Sequence, residues 1–333
     1  MKHRTIPVFV PHLGCPNDCS FCNQKKITGV TEEVMPQRAD KLIREALETV
    51  DRKNTFVEIG FFGGSFTGIP PSQQEALLAV AQQYVREGRA DAIRLSTRPD
   101  YIDSEILDRL SAYGVTTVEL GVQSLNDAVL AKNNRGHTSE QAIQASRLIE
   151  SRGFRLGLQM MVGLPGDTKE ISIRTAEQIA ALSPDCVRIY PTLVIQHTLL
   201  EEWYRSGRYT PLTVEQAIDI CKELVILFRR ENIDIIRLGL CVSDSVRGGI
   251  VAGPYHPAFG ALVESTLAFD GMCAALNGLR ASKVTVAVNP RFVSILVGNR
   301  RENIRRLKAR YGFDEICIEQ CPDVPYGTFE VVN

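Results

Sequence analysis

The chain has 333 residues, enough for about two domains and for burying roughly three-quarters of its unfolded surface, so neither a disordered segment nor a disulfide-stapled mini-protein fits. Apolar residues make up 44% and charged residues 23%, and 38 basic against 39 acidic side chains leave a net charge of −1, which excludes a polycation that coats nucleic acid or membrane. No run approaches about 18 uninterrupted apolar residues and the N-terminal apolar stretch is too short for a signal peptide, so a cytoplasmic chain with no membrane partner is expected.

In chain order, short β-rich runs alternate with helical patterns. Thr5–Val10, Phe56–Phe61, Ile93–Ser96, Val115–Leu120, Leu156–Val162 and Cys186–Thr192 are predicted strands, and Ile235–Gly239 extends the series. Ile106, Leu107, Leu110 and Tyr113 share one face of a helix predicted over Asp103–Tyr113 and stopped by Gly114; Thr138-Ser139-Glu140-Gln141 opens the next with a capping-box pattern, and Gly153 ends it. Polar and glycine-rich motifs recur after successive strands: GCPNDCSFC, GGSF, STRPD, GVQS, GLPG and YPT. Loops gathered at six strand C-termini ring a single mouth, as in barrel enzymes, which favours a barrel over an open doubly wound sheet. The predicted fold is α/β: a partial (β/α)6 TIM-like barrel over residues 1–240 with a small C-terminal α/β extension over residues 241–333.

In that extension Val284–Val288, Arg291–Val297, Glu302–Tyr311, Glu315–Glu319 and Thr328–Val332 read as strand, helix, helix, strand and strand. Between Leu279 and Tyr311 stand nine Lys or Arg against one acid, Glu302, a local basic patch on a neutral protein.

Nine cysteines cannot all pair internally, and a chain this long needs no disulfides, so a reducing compartment fits. Cys15, Cys19 and Cys22 lie within eight residues, whereas Cys186, Cys221, Cys241 and Cys273 are scattered through apolar or helical surroundings and read as small buried hydrophobes. Three thiolates on one short loop suit three irons of a cubane cluster and leave the fourth iron open. Pro16 constrains that loop, and Phe21 is placed to shield the sulfurs from water. Taken alone, the triplet also admits a zinc site completed by a distant Cys or His, with His12 the candidate.

The spacing C-x3-C-x-aromatic-C after a first strand resembles the signature of the radical S-adenosylmethionine (radical SAM) superfamily, and the later loops resemble it over the whole barrel. The resemblance implies a [4Fe–4S] cluster on Cys15, Cys19 and Cys22, S-adenosylmethionine (SAM) on its open iron, reductive cleavage to methionine and a 5′-deoxyadenosyl radical, and a reductant such as a flavodoxin or ferredoxin. Gly63-Gly64-Ser65-Phe66 resembles the superfamily's SAM-amino-group motif. Gln123 and Ser124 in GVQS, Arg135 in NNRGH and Gln159 in LQMMVGLP match positions that contact SAM in the anaerobic coproporphyrinogen oxidase branch. The match implies that Gln123 and Gln159 bond ribose or methionyl groups and that Arg135 pairs with the SAM carboxylate. Gln159 stands where that branch has an acid, and Ser96 where it has a glutamate.

STRPDY, RIYPTLVI and HTLLEEWYRSGRYTPLT resemble the radical SAM half of the catalytic subunit of Elongator, which modifies the wobble uridine of tRNA. That subunit carries an acetyltransferase domain for which this chain has no room, so acetyl-CoA chemistry is not expected. The expected function is radical SAM modification of tRNA or another RNA. A small-molecule substrate such as a porphyrin, and an iron–sulfur RNA-binding protein without turnover, stay open. In the extension, Val297 to Ile304 resembles the K-homology RNA-binding loop, with Arg301 in the place of its second glycine and Arg300, Arg301, Arg305 and Arg306 available for phosphates. A solvated basic helix packed on the barrel is the other reading.

Overall fold

The computed structural model describes residues 2–10, 19–22, 35–240 and 248–332. Cys15, with His12 and Pro16, and Cys241 lie outside the described residues. The chain divides into two compact units, Met1–Tyr255 and His256–Asn333.

In the larger unit the strands are β1 (Lys2–Val10), β2 (Thr55–Gly63), β3 (Ala92–Thr97), β4 (Val115–Gln123), β5 (Arg155–Val162) and β6 (Cys186–Pro191), then β7 (Val194–Ile195), β8 (Asp234–Leu238) and β9 (Ile250–Ala252). Strands β1 to β6 and β8 pair in that order, every pair parallel, in a seven-stranded sheet. The helices are α1 (Pro36–Glu48), α2 (Pro71–Arg86), α3 (Ser104–Ala112), α4 (Asp127–Lys132), α5 (Ser139–Ser151), α6 (Lys169–Ala180), α7 (Leu199–Arg205) and α8 (Val214–Arg230). This is the predicted partial (β/α)6 barrel, with the seventh strand added at its edge.

Local chemistry explains the punctuation. Proline opens α1 and α2, where a missing N–H costs nothing. Asp103 and Asn126 cap α3 and α4 by accepting from the N–H groups of Ile106 and Val129. Thr138 with Gln141, and Thr213 with Gln216, close reciprocal capping boxes at α5 and α8. Along each inner strand, alternate residues point to the helices and to the concave face. Val57, Ile59 and Phe61 on β2 and Val118 and Leu120 on β4 are fully buried toward the helices. The concave face is different: it carries Glu58, Arg94, Glu119 and Arg188, not an apolar filling.

The smaller unit runs α9 (Phe259–Leu276), β10 (Lys283–Val288), α10 (Val293–Val297), α11 (Glu302–Tyr311), β11 (Glu315–Gln320) and β12 (Phe329–Val332). Its sheet order is β11-β10-β12, with β10 parallel to β11 and antiparallel to β12. The five predicted elements are present, and α9 is an addition. By length and composition α9 is apolar enough to cross a bilayer. Ala268, Phe269, Met272 and Leu276 enter a core with Val284, Val286, Leu296, Ile304 and Leu307.

Candidate functional site

The motif loops converge at the C-terminal ends of the parallel strands, where backbone is free of the ladder and loops can carry chemistry. Gly63, at φ 105°, ends β2, and the N–H of Gly64 donates to the Val10 carbonyl at 3.0 Å, tying the GGSF loop to the strand that leads into the cysteine segment. Ser65 begins a short helical turn over Phe66–Gly68. Gln123 is the last residue of β4 and sits at φ 68°, a left-handed conformation that turns the chain abruptly out of the sheet. Ser124 follows; its hydroxyl accepts from the N–H of Asn126 at 3.2 Å and lies 3.4 Å from Thr175, so it shapes the entry to α4.

After α4 comes the turn that matters most. Arg135 reaches back with Nη1 to the Sγ of Cys19 at 3.3 Å and with Nη2 to the carbonyl of Gly121 at 2.5 Å, while its own carbonyl accepts from Arg98. Arg98 is held by a two-pronged pair with Asp100, both bonds at 2.9 Å. Asn133, fully buried, accepts from the Ser20 hydroxyl at 2.6 Å through its side chain and from the Ser20 N–H at 3.1 Å through its carbonyl. Its amide in turn donates to the carbonyls of Val129 and Pro165. The N–H of Leu200 donates to the Ser20 carbonyl at 2.7 Å. The Cys19–Cys22 segment is therefore gripped from two sides, and the N–H of Cys22 closes it into a tight turn on the Cys19 carbonyl at 3.0 Å.

Neither described cysteine of the triplet is in a disulfide; Cys19 is buried and Cys22 partly so. Cysteine sulfur is a soft ligand that suits a soft metal. The donor set thus fits iron, although no group of three or more His, Cys, Asp or Glu stands together among the described residues, Cys15 being outside them. His137, in the same turn as Arg135, is buried; burial, then the positive charge of Arg135, pushes its ring down to about 4, so it is neutral at pH 7.

Beneath the mouth lies the charged floor of the half-barrel. Glu119 is fully buried and accepts from Arg94 at 2.6 Å, from Arg188 at 2.6 and 2.9 Å, and from the Gln159 amide at 2.8 Å. Arg94 also donates to Glu58 at 2.7 Å. Arg188 comes from β6 and Glu119 from β4, so the bond crosses β5, and it does so over Gly157, the register partner of Glu119. A Cβ at Gly157 would stand 2.7 Å from the Glu119 Cγ, which is why no side chain occupies that place. Burial raises the Glu119 pKa, but the hydrogen bonds and charge of Arg188, then Arg94, outweigh it and hold the carboxyl below its usual range. Gln159 donates its remaining amide hydrogen to Ser96 at 3.0 Å, so the two positions that depart from the coproporphyrinogen oxidase branch are bonded to each other. The Arg188 guanidinium also lies over the Phe62 ring at 5.2 Å.

Of the site residues expected from sequence, Cys19 and Arg135 are brought into contact, Gly63, Gly64 and Ser65 stand at the end of β2, Gln123 and Ser124 at the end of β4 with β3 between them, and Gln159 is part of the floor. Sequence reasoning missed Asn133, Arg188 and Gly157. Asn133 stands two residues before Arg135, but nothing local marks a partner 113 residues away.

The fold and the site together define a half-barrel that carries a cysteine loop at its mouth. The sequence model described as the radical SAM superfamily matches residues 9–179, just over half of the chain, and that described as the Radical_SAM C-terminal domain matches residues 184–268. The chain belongs to the radical SAM superfamily, a superfamily of enzymes that in general use SAM and a [4Fe–4S] cluster. A curated relative, the tRNA uridine(34) acetyltransferase of Methanocaldococcus jannaschii, is 31% identical over 198 residues, 53% of this chain and 36% of that protein. Elongator complex protein 3 of Schizosaccharomyces pombe is 30% identical over 205 residues, 56% of this chain and 37% of that protein. The chain spans little more than a third of the length of either relative. Among solved structures, Elp3 of the archaeon Methanocaldococcus infernus, with an N-terminal deletion, superposes with a TM-score of 0.65 at 23% identity, covering 81% of this chain and 63% of that one, a likeness of fold.

Proposed function

We propose that this chain cleaves SAM reductively and applies the resulting radical to a base of tRNA or another RNA. The observation that carries the reading is the Asn133–Arg135 turn closing on Ser20 and Cys19 at the mouth of the half-barrel. Cys15, Cys19 and Cys22 would hold a [4Fe–4S] cluster, and the group supplies, when bound, one-electron cleavage of the SAM sulfonium to methionine and a 5′-deoxyadenosyl radical. The residues do the rest. Gly63, Gly64 and Ser65 offer backbone to the SAM amino group, since two glycines let a ligand approach closely. Arg135, already facing Cys19, is positioned to take the SAM carboxylate as a planar fork. Gln123 bonds ribose or methionyl groups from the end of β4, and Gln159, its amide hydrogens spent on Ser96 and Glu119, contributes its carbonyl oxygen. Ser124 acts by fixing the α4 entry. The electron comes from a reductant of the flavodoxin or ferredoxin class. None of the described cysteines is in a disulfide, which suits a reducing, cytoplasmic setting. The RNA substrate rests on the named relatives and on the Elongator-like string from Arg188 to Ile195.

The test is anaerobic reconstitution followed by dithionite, SAM and unmodified tRNA. About four irons per chain, methionine and 5′-deoxyadenosine are expected, with 5′-deoxyadenosine rising when tRNA is added. Replacing Cys15, Cys19 and Cys22 by Ala should abolish iron binding and cleavage together, while Arg135→Gln should keep the iron and weaken SAM binding about tenfold or more, the loss of a charge-assisted pair. Tightly bound zinc, or less than one iron per chain, overturns the cluster; stimulation by a porphyrinogen but not by tRNA overturns the RNA substrate.

A further inference from the structure

Several basic residues of the smaller unit touch a ring, a sulfur or a carboxylate, and others do not. Arg306 lies over the Phe269 ring at 4.0 Å, and Arg310 over Tyr311 at 5.5 Å and within 3.8 Å of the Cys273 sulfur. Lys283 pairs with the Glu315 carboxylate at 2.9 Å. These cations are occupied in packing and pairing. Arg300, Arg301 and Arg305 are exposed, and none of them has a carboxylate or ring partner among the described residues, although Glu302 is their sequence neighbour. Three exposed guanidiniums within six residues and without counter-charge repel one another, and a bound polyanion relieves that.

The backbone holds them in place. Gly298, at φ 77°, opens the turn, and a Cβ there would meet Asn303 at 3.0 Å. Asn303 in turn anchors α11 by donating to the Ser265 and Leu296 carbonyls at 3.0 Å. Arg300 at φ 48° and Arg301 at φ 60° both adopt the left-handed conformation that favours Gly or Asn. The chain carries large cationic side chains where small residues are easier to place. Beside Phe292, which precedes α10, Tyr326 is 61% exposed, with its ring edge-on to Phe292 at 5.4 Å and Arg291 over it at 5.5 Å. An exposed, propped aromatic ring and unpaired arginines in the same small unit suit a ligand with both phosphates and bases, which an acidic peptide lacks.

We infer that the turn bearing Arg300, Arg301 and Arg305 is an RNA-backbone contact of the smaller unit, with Tyr326 a stacking surface for a base. The inference rests on the RNA reading of the proposed function and names where, outside the cysteine site, the RNA is held. The test is binding of an unmodified tRNA transcript and of poly(uridylate) to the reconstituted full chain across a salt series. For Arg300→Gln/Arg301→Gln/Arg305→Gln, the slope of log affinity against log salt should fall by about two to three units, roughly 0.7 to 0.9 for each phosphate no longer neutralised, with about tenfold or more weaker binding at low salt. Arg300→Gly/Arg301→Gly, which suits the left-handed backbone, should give the same direction of change with the turn intact. Removing the same charge on α1 and α2, by Lys41→Gln/Arg44→Gln/Arg86→Gln, should leave slope and affinity unchanged. Equal slopes in the turn variants and wild type, or an equal loss in the α1 and α2 control, overturns the inference. Binding through the turn in a chain whose 5′-deoxyadenosine formation ignores tRNA overturns the tRNA substrate and leaves the RNA-binding turn standing. Failure of the wild type to bind either RNA overturns both.

Discussion

Glu119→Gln is the sharpest test of the floor beneath the site. The substitution keeps shape and one acceptor oxygen but removes the negative charge from a fully buried position. In the native chain two guanidiniums, Arg94 and Arg188, face two carboxylates, Glu58 and Glu119. After the change Arg94 keeps Glu58, whereas Arg188 loses the carboxylate that holds it at 2.6 and 2.9 Å and remains largely buried. Breaking one side of a buried ion pair costs about 3 to 5 kcal/mol, a large fraction of the roughly 5 to 15 kcal/mol by which a folded protein exceeds its unfolded chain. With a urea dependence of about 3 kcal/mol per molar, the unfolding midpoint should fall by about 1 to 1.7 M. The chain has one tryptophan, Trp203 on α7, so its fluorescence follows the larger unit without interference from the smaller. The pH dependence supplies a second reading. Because Arg188 and Arg94 hold the folded Glu119 below its ordinary value of 4.5, the carboxylate contributes stability that is fully present above that pH and is lost as pH falls through the depressed folded value. Wild type should therefore lose stability more steeply than Glu119→Gln between about pH 4.5 and lower pH. An unchanged midpoint, with parallel acid profiles for the two proteins, refutes the assignment of Glu119 as the hub.

Gly157→Ala places a methyl group 2.7 Å from the Glu119 Cγ and 3.2 Å from the Cys186 sulfur, and should cost about 1 to 3 kcal/mol as overpacking, read by the same Trp203 midpoint. A wild-type midpoint would mean the Arg188 bond does not need the gap. Asn133→Ala leaves the buried Ser20 hydroxyl and Pro165 carbonyl without the partners they have now, so the Cys19–Cys22 turn should loosen and reconstituted iron should be lost faster to a chelator than in wild type; equal rates of iron loss would show that the grip on Ser20 is not what holds the loop.

Much of the frame was legible because parallel strands buried on their helix-facing side read as apolar runs, and because glycine and proline punctuate them. The capping box at Thr138 and the stop at Gly114 needed only local sequence. What escaped was set by distance along the chain. The string from Tyr190 to Ile195 is split in the structure, ending β6 at Pro191 and restarting as β7, whose partner β9 lies more than fifty residues on. Helix α9 escaped because it is apolar nearly all round, interrupted by Glu264 and Asp270, and shows no single stripe. In the site, Arg135 stood out by its motif, whereas Asn133 and Arg188 act on residues 113 and 69 positions away.

The floor and the mouth are mechanically continuous. Glu119 and Gly121 lie two residues apart on β4, about 6.6 Å at 3.3 Å per residue. The first is fixed by Arg94 and Arg188; the second presents the carbonyl that holds Arg135, and Arg135 meets Cys19. A closed barrel fixes its strands by filling the interior with apolar side chains, but a half-barrel open on one side has no such filling. Ion pairs do that work instead, two between adjacent strands and one from β4 to β6 across a glycine, because they are directional and lock register as well as spacing. The charged floor thereby sets the height of the Gly121 carbonyl and, through it, the position of Arg135. It follows that Glu119→Gln should displace Arg135 from Cys19, and so weaken SAM binding, under conditions mild enough that the chain remains folded.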